Sequence, residues 1–180
     1  METKIFKDKK IIIRRLSASD LNWPEKFQKF INSFVQEDAM LLTNTKKSKK
    51  DESKWLASRI KEVKQHKTVY LLAESNNEII GSCSVSILKE RKSHIGELGI
   101  AIKQGFRGMG IGRYLMTTLI KMAKTELKPK PKIIELSVFE NNKPAIALYK
   151  KMGFKTAAKI PNHLQYKSNL VSEIIMQLKV

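Results

Sequence analysis

Four of the chain's eight glycines stand within ten residues, 104–113, in the run QGFRGMGIGR. No other segment restricts the fold so tightly. Before it lies Leu98-Gly99-Ile100-Ala101-Ile102, an apolar run of strand type. After it, Ile111, Leu115, Leu119 and Met122 recur at helical spacing, with Met116 and Ala123 beside them. The glycines therefore occupy a strand-to-helix turn. A helix N-terminus leaves four backbone N–H groups unpaired and carries about half a positive charge. A phosphate seated there receives several hydrogen bonds at once. Bare backbone at Gly108, Gly110 and Gly112 clears its approach, and Arg107 and Arg113 add full charges at the rim. The competing reading is a glycine turn that lets helix and strand pack closely. The spacing is neither G-x-x-x-x-G-K-[ST] nor G-x-G-x-x-G, so a P-loop and a dinucleotide fingerprint are both excluded.

At 180 residues the chain is read as one domain, 1–180, large enough for a sizeable core. No apolar run reaches 18 residues, so no transmembrane helix is expected. METKIFKDKKIIIRRL lacks the long apolar stretch and cleavage site of a secretory signal. The lone Cys83 cannot form an internal disulfide and reads as core, which fits a reducing, cytoplasmic setting. The net charge of +18 raises a polyanion as partner. Yet the lysines are scattered through KDKK, KKSKK, KERK and KPKPK, with no aromatics interleaved. A solvated basic surface is the reading adopted, and a nucleic-acid role is not expected. His66, His94 and His163 show no metal-ligand spacing, so no metal is expected.

Along the chain, IIIRRL at 11–16 reads as the first strand. A helix follows with Phe27, Phe30, Ile31 and Phe34 as its apolar stripe, then a polar, mobile loop at 43–50. A second helix buries Trp55, Leu56, Ile60 and Val63. TVYLLAES and EIIGSCSVSIL are two strands joined by a tight turn at Asn76-Asn77. HIGELGIAI is the fourth strand, followed by the glycine loop and its helix. KIIELSVF is the fifth strand, and NNKPAIALYKKMGF a short helix opened by Asn142 and Pro144 and stopped at Gly153. FKTAAKI and LVSEIIMQL close the chain as two more strands, with His163 in a loop between them. About seven strands alternating with helices predict an α/β fold, a mixed central sheet with helices on both faces.

Arg107-Gly108-Met109-Gly110-Ile111-Gly112 matches the [QR]-x-x-G-x-[GA] signature of the GNAT superfamily of N-acetyltransferases. Residues 141–154 resemble that family's second motif, N-x-x-A-x-x-x-Y-x-x-x-G-F, through Asn142, Ala145, Tyr149, Gly153 and Phe154. The resemblance covers roughly 11–180 and is strongest over 94–154. It implies the GNAT (acyl-CoA N-acyltransferase) fold and an acetyl-CoA-dependent N-acetyltransferase. The pyrophosphate would lie on Arg107, Gly108, Met109, Gly110, Ile111, Gly112 and Arg113. The pantetheine arm would run beside Ile100, Ala101 and Ile102, with Asn142 and Tyr149 next to the cofactor. Homodimers are common among such families.

The reaction so implied is attack of a primary amine on the acetyl thioester in a ternary complex. The acceptor would be a protein N-terminus or a small-molecule amine, as in the ribosomal-protein alanine and phosphinothricin types. Tyr149, at the family tyrosine, would protonate the departing thiolate. The ribosomal-protein alanine branch keeps a glutamate base five residues before the motif asparagine, where this chain has Ser137. Glu97 is the candidate base, with Glu135 and a relayed water as alternatives. Glu37 and Asp38 could attract the acceptor ammonium or simply end an exposed helix. Ser172 stands where many relatives carry aspartate. The contrasting class is non-catalytic: an acetyl-CoA sensor, or a basic module docking on RNA or a ribosome. The intact loop and Tyr149 favour the enzyme.

Overall fold

Each helix is written into the chain by its ends as well as its stripe. The computed structural model describes residues 1–180. Helix α1 (Pro24–Gln36) has proline in its first turn and buries Phe27, Phe30 and Phe34 on one face. Helix α2 (Lys49–Lys64) is opened by a capping box, in which the Ser48 hydroxyl accepts from the Asp51 N–H at 3.2 Å. The Ser48 N–H donates back to the Asp51 carboxylate at 3.0 Å. Helix α3 (Ile111–Glu126) buries Ile111, Leu115, Met116, Leu119 and Ala123. Helix α4 (Lys143–Lys151) is capped by the Asn142 side chain, which accepts from Ala145 N–H at 3.3 Å.

The strands are β1 (Glu2–Phe6), β2 (Lys9–Arg15), β3 (Thr68–Ser75), β4 (Glu78–Ile87), β5 (Ile95–Ile102), β6 (Ile133–Phe139), β7 (Lys155–Tyr166) and β8 (Asn169–Lys179). They form one sheet in the order β1-β2-β3-β4-β5-β6-β8-β7. Every pairing is antiparallel except β5 with β6. One core, including Leu115, Met116, Leu136 and Tyr149, lies between the sheet and α3 with α4. A smaller one, including Phe34, Leu56 and Leu72, lies under α1 and α2 on the other face. This is the mixed sheet with helices on both faces that the pattern predicts.

Three details differ from the sequence reading. The sheet has eight strands, because β1 pairs with β2 through a two-residue turn at Lys7-Asp8, both at positive φ. The loop at 43–50 is anchored: Lys47 C=O accepts from Asn32 Nδ2 at 2.9 Å and Gln28 Nε2 at 3.0 Å, and Lys47 N–H donates to Asn32 Oδ1 at 2.8 Å. His163 lies within β7, which runs on to Tyr166 and turns into β8 at Lys167-Ser168.

Gly96 sits where β5 and β6 join. A Cβ there would lie 2.7 Å from Val85 Cγ1 and 3.0 Å from Ile134 Cδ1. Gly96→Ala is therefore expected to destabilise the fold by about 1–3 kcal/mol through overpacking, read as a lower urea midpoint.

Candidate active site

The parallel ladder between β5 and β6 is short. It joins Ile95 to Ile133, Gly96 to Ile134 and Glu97 to Glu135, and then the strands part. β5 stays on β4 as far as Ile102, and β6 stays on β8 as far as Phe139. A gap thus opens toward the C-terminal ends of both strands. Leu88 N–H bonds Ile95 C=O, and Lys103 N–H bonds Ile80 C=O, so the odd-numbered backbone groups of β5 face β4. Strand alternation turns those of Leu98, Ile100 and Ile102 into the gap. Of the three residues expected to pair with a pantetheine arm, Ile100 and Ile102 face the gap and Ala101 turns to β4. The Ile102 carbonyl accepts from Arg107 Nε at 2.7 Å. Leu98 and Ile100 remain as a free strand edge, the kind that takes an extended, amide-bearing partner.

The gap leads to the glycine loop. Gly110 caps α3 at φ +90°, a left-handed conformation that suits glycine. The first helical bond runs from Tyr114 N–H to Gly110 C=O, which leaves the N–H groups of Ile111, Gly112 and Arg113 unused within the helix. Gly112 serves differently. A Cβ there would meet Ile100 Cδ1 at 3.5 Å and Leu148 Cδ2 at 3.7 Å, so it keeps β5, α3 and α4 close together. A Cβ on Gly108 would meet nothing within 4 Å, leaving the space over the turn open.

The two arginines part company. Arg113 is exposed at the start of α3. Arg107 is engaged with the protein: besides its bond to Ile102, its guanidinium pairs with Glu37 and lies 5.9 Å from the Phe34 ring. It ties the end of α1 to the loop. Glu37, read as an acceptor-attracting group, is spent in that pair. On the far side, Lys9 Nζ donates to Gly105 C=O at 3.3 Å and sits 4.4 Å over Phe106, so the β1–β2 hairpin braces the loop.

Tyr149 lies on the buried face of α4, 6.1 Å from the Phe154 ring. Burial pushes its phenol up to about 12, so the proton is held throughout the neutral range. Asn142 caps α4 through its Oδ1, which leaves its Nδ2 amino group as a donor.

On the α1/α2 face of the gap stand the carboxylates. Glu97 is exposed at the last joined register. Its neighbour Glu135 accepts from Gln177 Nε2 at 2.7 Å. Two residues further along β6, the exposed Ser137 hydroxyl donates to Glu173, a buried residue of β8. The other oxygen of Glu173 meets His163 Nδ1. Glu173 went unnoticed in the sequence because it sits inside the apolar run LVSEIIMQL; a lone carboxylate in such a run was the available signal. A cavity of about 240 Å³ lies alongside, lined by Asp38, Leu41, Asn44, Phe139, Tyr166 and Lys167 among others. Phe139 pairs with Glu173 across β6 and β8, so the cavity borders the carboxylate cluster. No three His, Cys, Asp or Glu side chains are grouped to hold a metal, and no helix is long and apolar enough to cross a membrane.

A split parallel pair, a glycine-capped helix at the mouth of the split and a buried tyrosine beside it agree with the GNAT resemblance of the sequence. The model of the acetyltransferase (GNAT) family matches residues 31–154, and the chain belongs to that family. It is 33% identical over 86 residues to the L-amino acid N-acetyltransferase AaaT of Escherichia coli (strain K12), covering 47% of this chain and 52% of that protein. It is 30% identical over 107 residues to an N-alpha-acetyltransferase of Sulfurisphaera tokodaii, covering 53% and 62% respectively. The matches thus span about half to three fifths of these relatives' lengths. The fold is shared with the structure of yncA, a putative acetyltransferase from Salmonella typhimurium with its cofactor acetyl-CoA. There the TM-score is 0.77 at 19% identity, over 94% of this chain and 93% of that one.

Proposed function

We propose that residues 1–180 form a single acetyltransferase domain that moves an acetyl group from acetyl-CoA to a primary amine. The observation that carries this is the free edge of β5 at Leu98 and Ile100, opening directly onto the unpaired N–H groups of α3. A thioester tail with amide groups fits the edge, and a pyrophosphate fits the helix end. The loop backbone from Arg107 to Arg113 holds the phosphates, with the exposed Arg113 adding charge. A β5 N–H steadies the oxyanion as the amine attacks. Tyr149 gives its proton to the departing sulfur. The amine's proton goes to a carboxylate on the α1/α2 face, where Glu97, Glu135 and Glu173 stand. Acceptors of two kinds fit this reading: free amino acids, as the name of the AaaT relative states, and peptide N-termini or phosphinothricin-like amines, as the family resemblance of the sequence implies. The cavity between α1 and the β7–β8 turn is the acceptor's seat.

Acetyl-CoA at about 100 times its Kd is expected to stabilise the protein by about 2.7 kcal/mol. For a chain of this size that is a rise in Tm of about 5–10 °C. No rise at saturation would overturn the reading. Binding to RNA that falls steeply with salt would then put a basic docking module in its place.

A further inference from the structure

We infer that Glu173, reached through the Ser137 hydroxyl and steadied by His163, takes the proton from the acceptor amine. The inference rests on the acetyltransferase reading and names the proton acceptor within it.

Three observations converge. First, Ser137 is exposed on β6, just past the last joined register Glu97–Glu135, so its hydroxyl lines the gap. That hydroxyl donates to the buried Glu173.

Second, no Lys or Arg pairs with Glu173. Of the carboxylates in this lysine-rich chain, several take permanent cations, while Glu135 is held by Gln177, Asp51 by Ser48, and the buried Glu52 has no cation. Asp20 and Glu74 share Arg14, Glu126 takes Arg15, Glu78 takes Lys103 and Glu140 takes Lys159. Glu173 has instead a serine hydroxyl and a half-exposed imidazole. The half-exposed imidazole on its other oxygen leads from the site toward solvent.

Third, the backbone is bent to make this contact. Ile160 pairs with Glu173 and Leu164 with Val171, so three residues of β7 oppose one of β8. Asn162 is at positive φ within this bulge. The bulge brings His163 to Glu173 on the edge strand of the sheet.

The acceptor enters as an ammonium. One N–H proton passes to Ser137 Oγ as the hydroxyl's own proton passes to Glu173. The freed lone pair forms the C–N bond, the C–S bond breaks, and the sulfur takes its proton from Tyr149. The second proton of the nitrogen returns to the phenolate, and Glu173 releases its proton to solvent past His163. The charged groups facing Glu173 are His163 from β7, Glu135 from β6, held by Gln177 of β8, and Glu97 from β5.

The test measures thiol release from acetyl-CoA across pH 6–10, with each free L-amino acid and an N-terminal alanine hexapeptide as acceptors. Glu173→Gln is expected to lower kcat at least ~10²-fold at neutral pH. The loss should shrink toward pH 10, where the amine loses its proton unaided. The acetyl-CoA-induced rise in Tm should stay at the wild-type value. Ser137→Ala, at an exposed position, should show the same pH-dependent loss to a smaller extent without unfolding. Ser137→Glu combined with Glu173→Gln should regain activity, because the carboxylate returns on β6. A loss equal at every pH, no regain in the double variant, or the pH-dependent loss appearing in Glu97→Gln instead would overturn the inference. If the wild type binds acetyl-CoA yet acetylates none of the acceptors, the transferase reading itself falls and the relay with it.

Discussion

Tyr149→Phe is expected to lower kcat by about 10²-fold or more while leaving acetyl-CoA binding unchanged. The phenol is placed by packing: α4 is held at its start by the Asn142 cap and by the contact of Gly112 with Leu148, and the ring leans on Phe154. Phenylalanine keeps all of that packing and removes only the hydroxyl. Such a near-isosteric change costs less than about 1.5 kcal/mol of stability, so the variant should fold. On the proposed mechanism, what it removes is the proton for the leaving sulfur. Burial pushes that phenol up to about 12, so it remains protonated at every pH at which the enzyme would work. The sign follows: Tyr149 adds no alkaline loss of activity below about pH 11 in the wild type, and its removal flattens no limb of the profile. The expected signature is a uniform fall in kcat with an unchanged acetyl-CoA-induced rise in Tm. Equal kcat in the two proteins would remove Tyr149 from the chemistry.

Local spacing carried most of the fold. The α3 and α4 stripes, the Asn76-Asn77 turn and the glycine loop all depend on residues a few positions apart, and each is found where the pattern predicts it. β1 was missed because its burial alternates weakly on an outer edge, and because Lys7-Asp8 turns the chain without a glycine. The site was legible in part. Glycines and a tyrosine at fixed offsets mark the loop and α4. The ion pair of Arg107 could not be read locally, since its partner Glu37 is 70 residues earlier. Glu173 is a similar case. Within its own strand it is a stray carboxylate, and its meaning depends on β6 at Ser137 and a bulge in β7, which only the sheet order brings together.

Gly110→Asp is expected to abolish the acetyl-CoA-induced rise in Tm, with affinity falling about 10²–10³-fold as two charge-assisted hydrogen bonds are lost. The substitution is informative because it should not destroy the fold. Gly110 is at φ +90°, a conformation that costs another residue about 1–2 kcal/mol, though Asp bears it better than most. A carboxylate at the N-cap also satisfies N–H groups of the first turn and complements the helix charge. Those are the groups assigned to the pyrophosphate. The variant would therefore carry its own anion in the phosphate's seat and repel the incoming one. Gly105→Asn supplies the control: Gly105 is also left-handed, at φ +83°, with nothing within 4 Å of an added Cβ, but it lies outside the helix end. Equal backbone strain with binding retained in Gly105→Asn and lost in Gly110→Asp would place the phosphates on α3. Loss in both would mean that the loop's conformation, rather than its free N–H groups, governs binding. Retention in both would leave the glycines to packing, as Gly112 already is between Ile100 and Leu148.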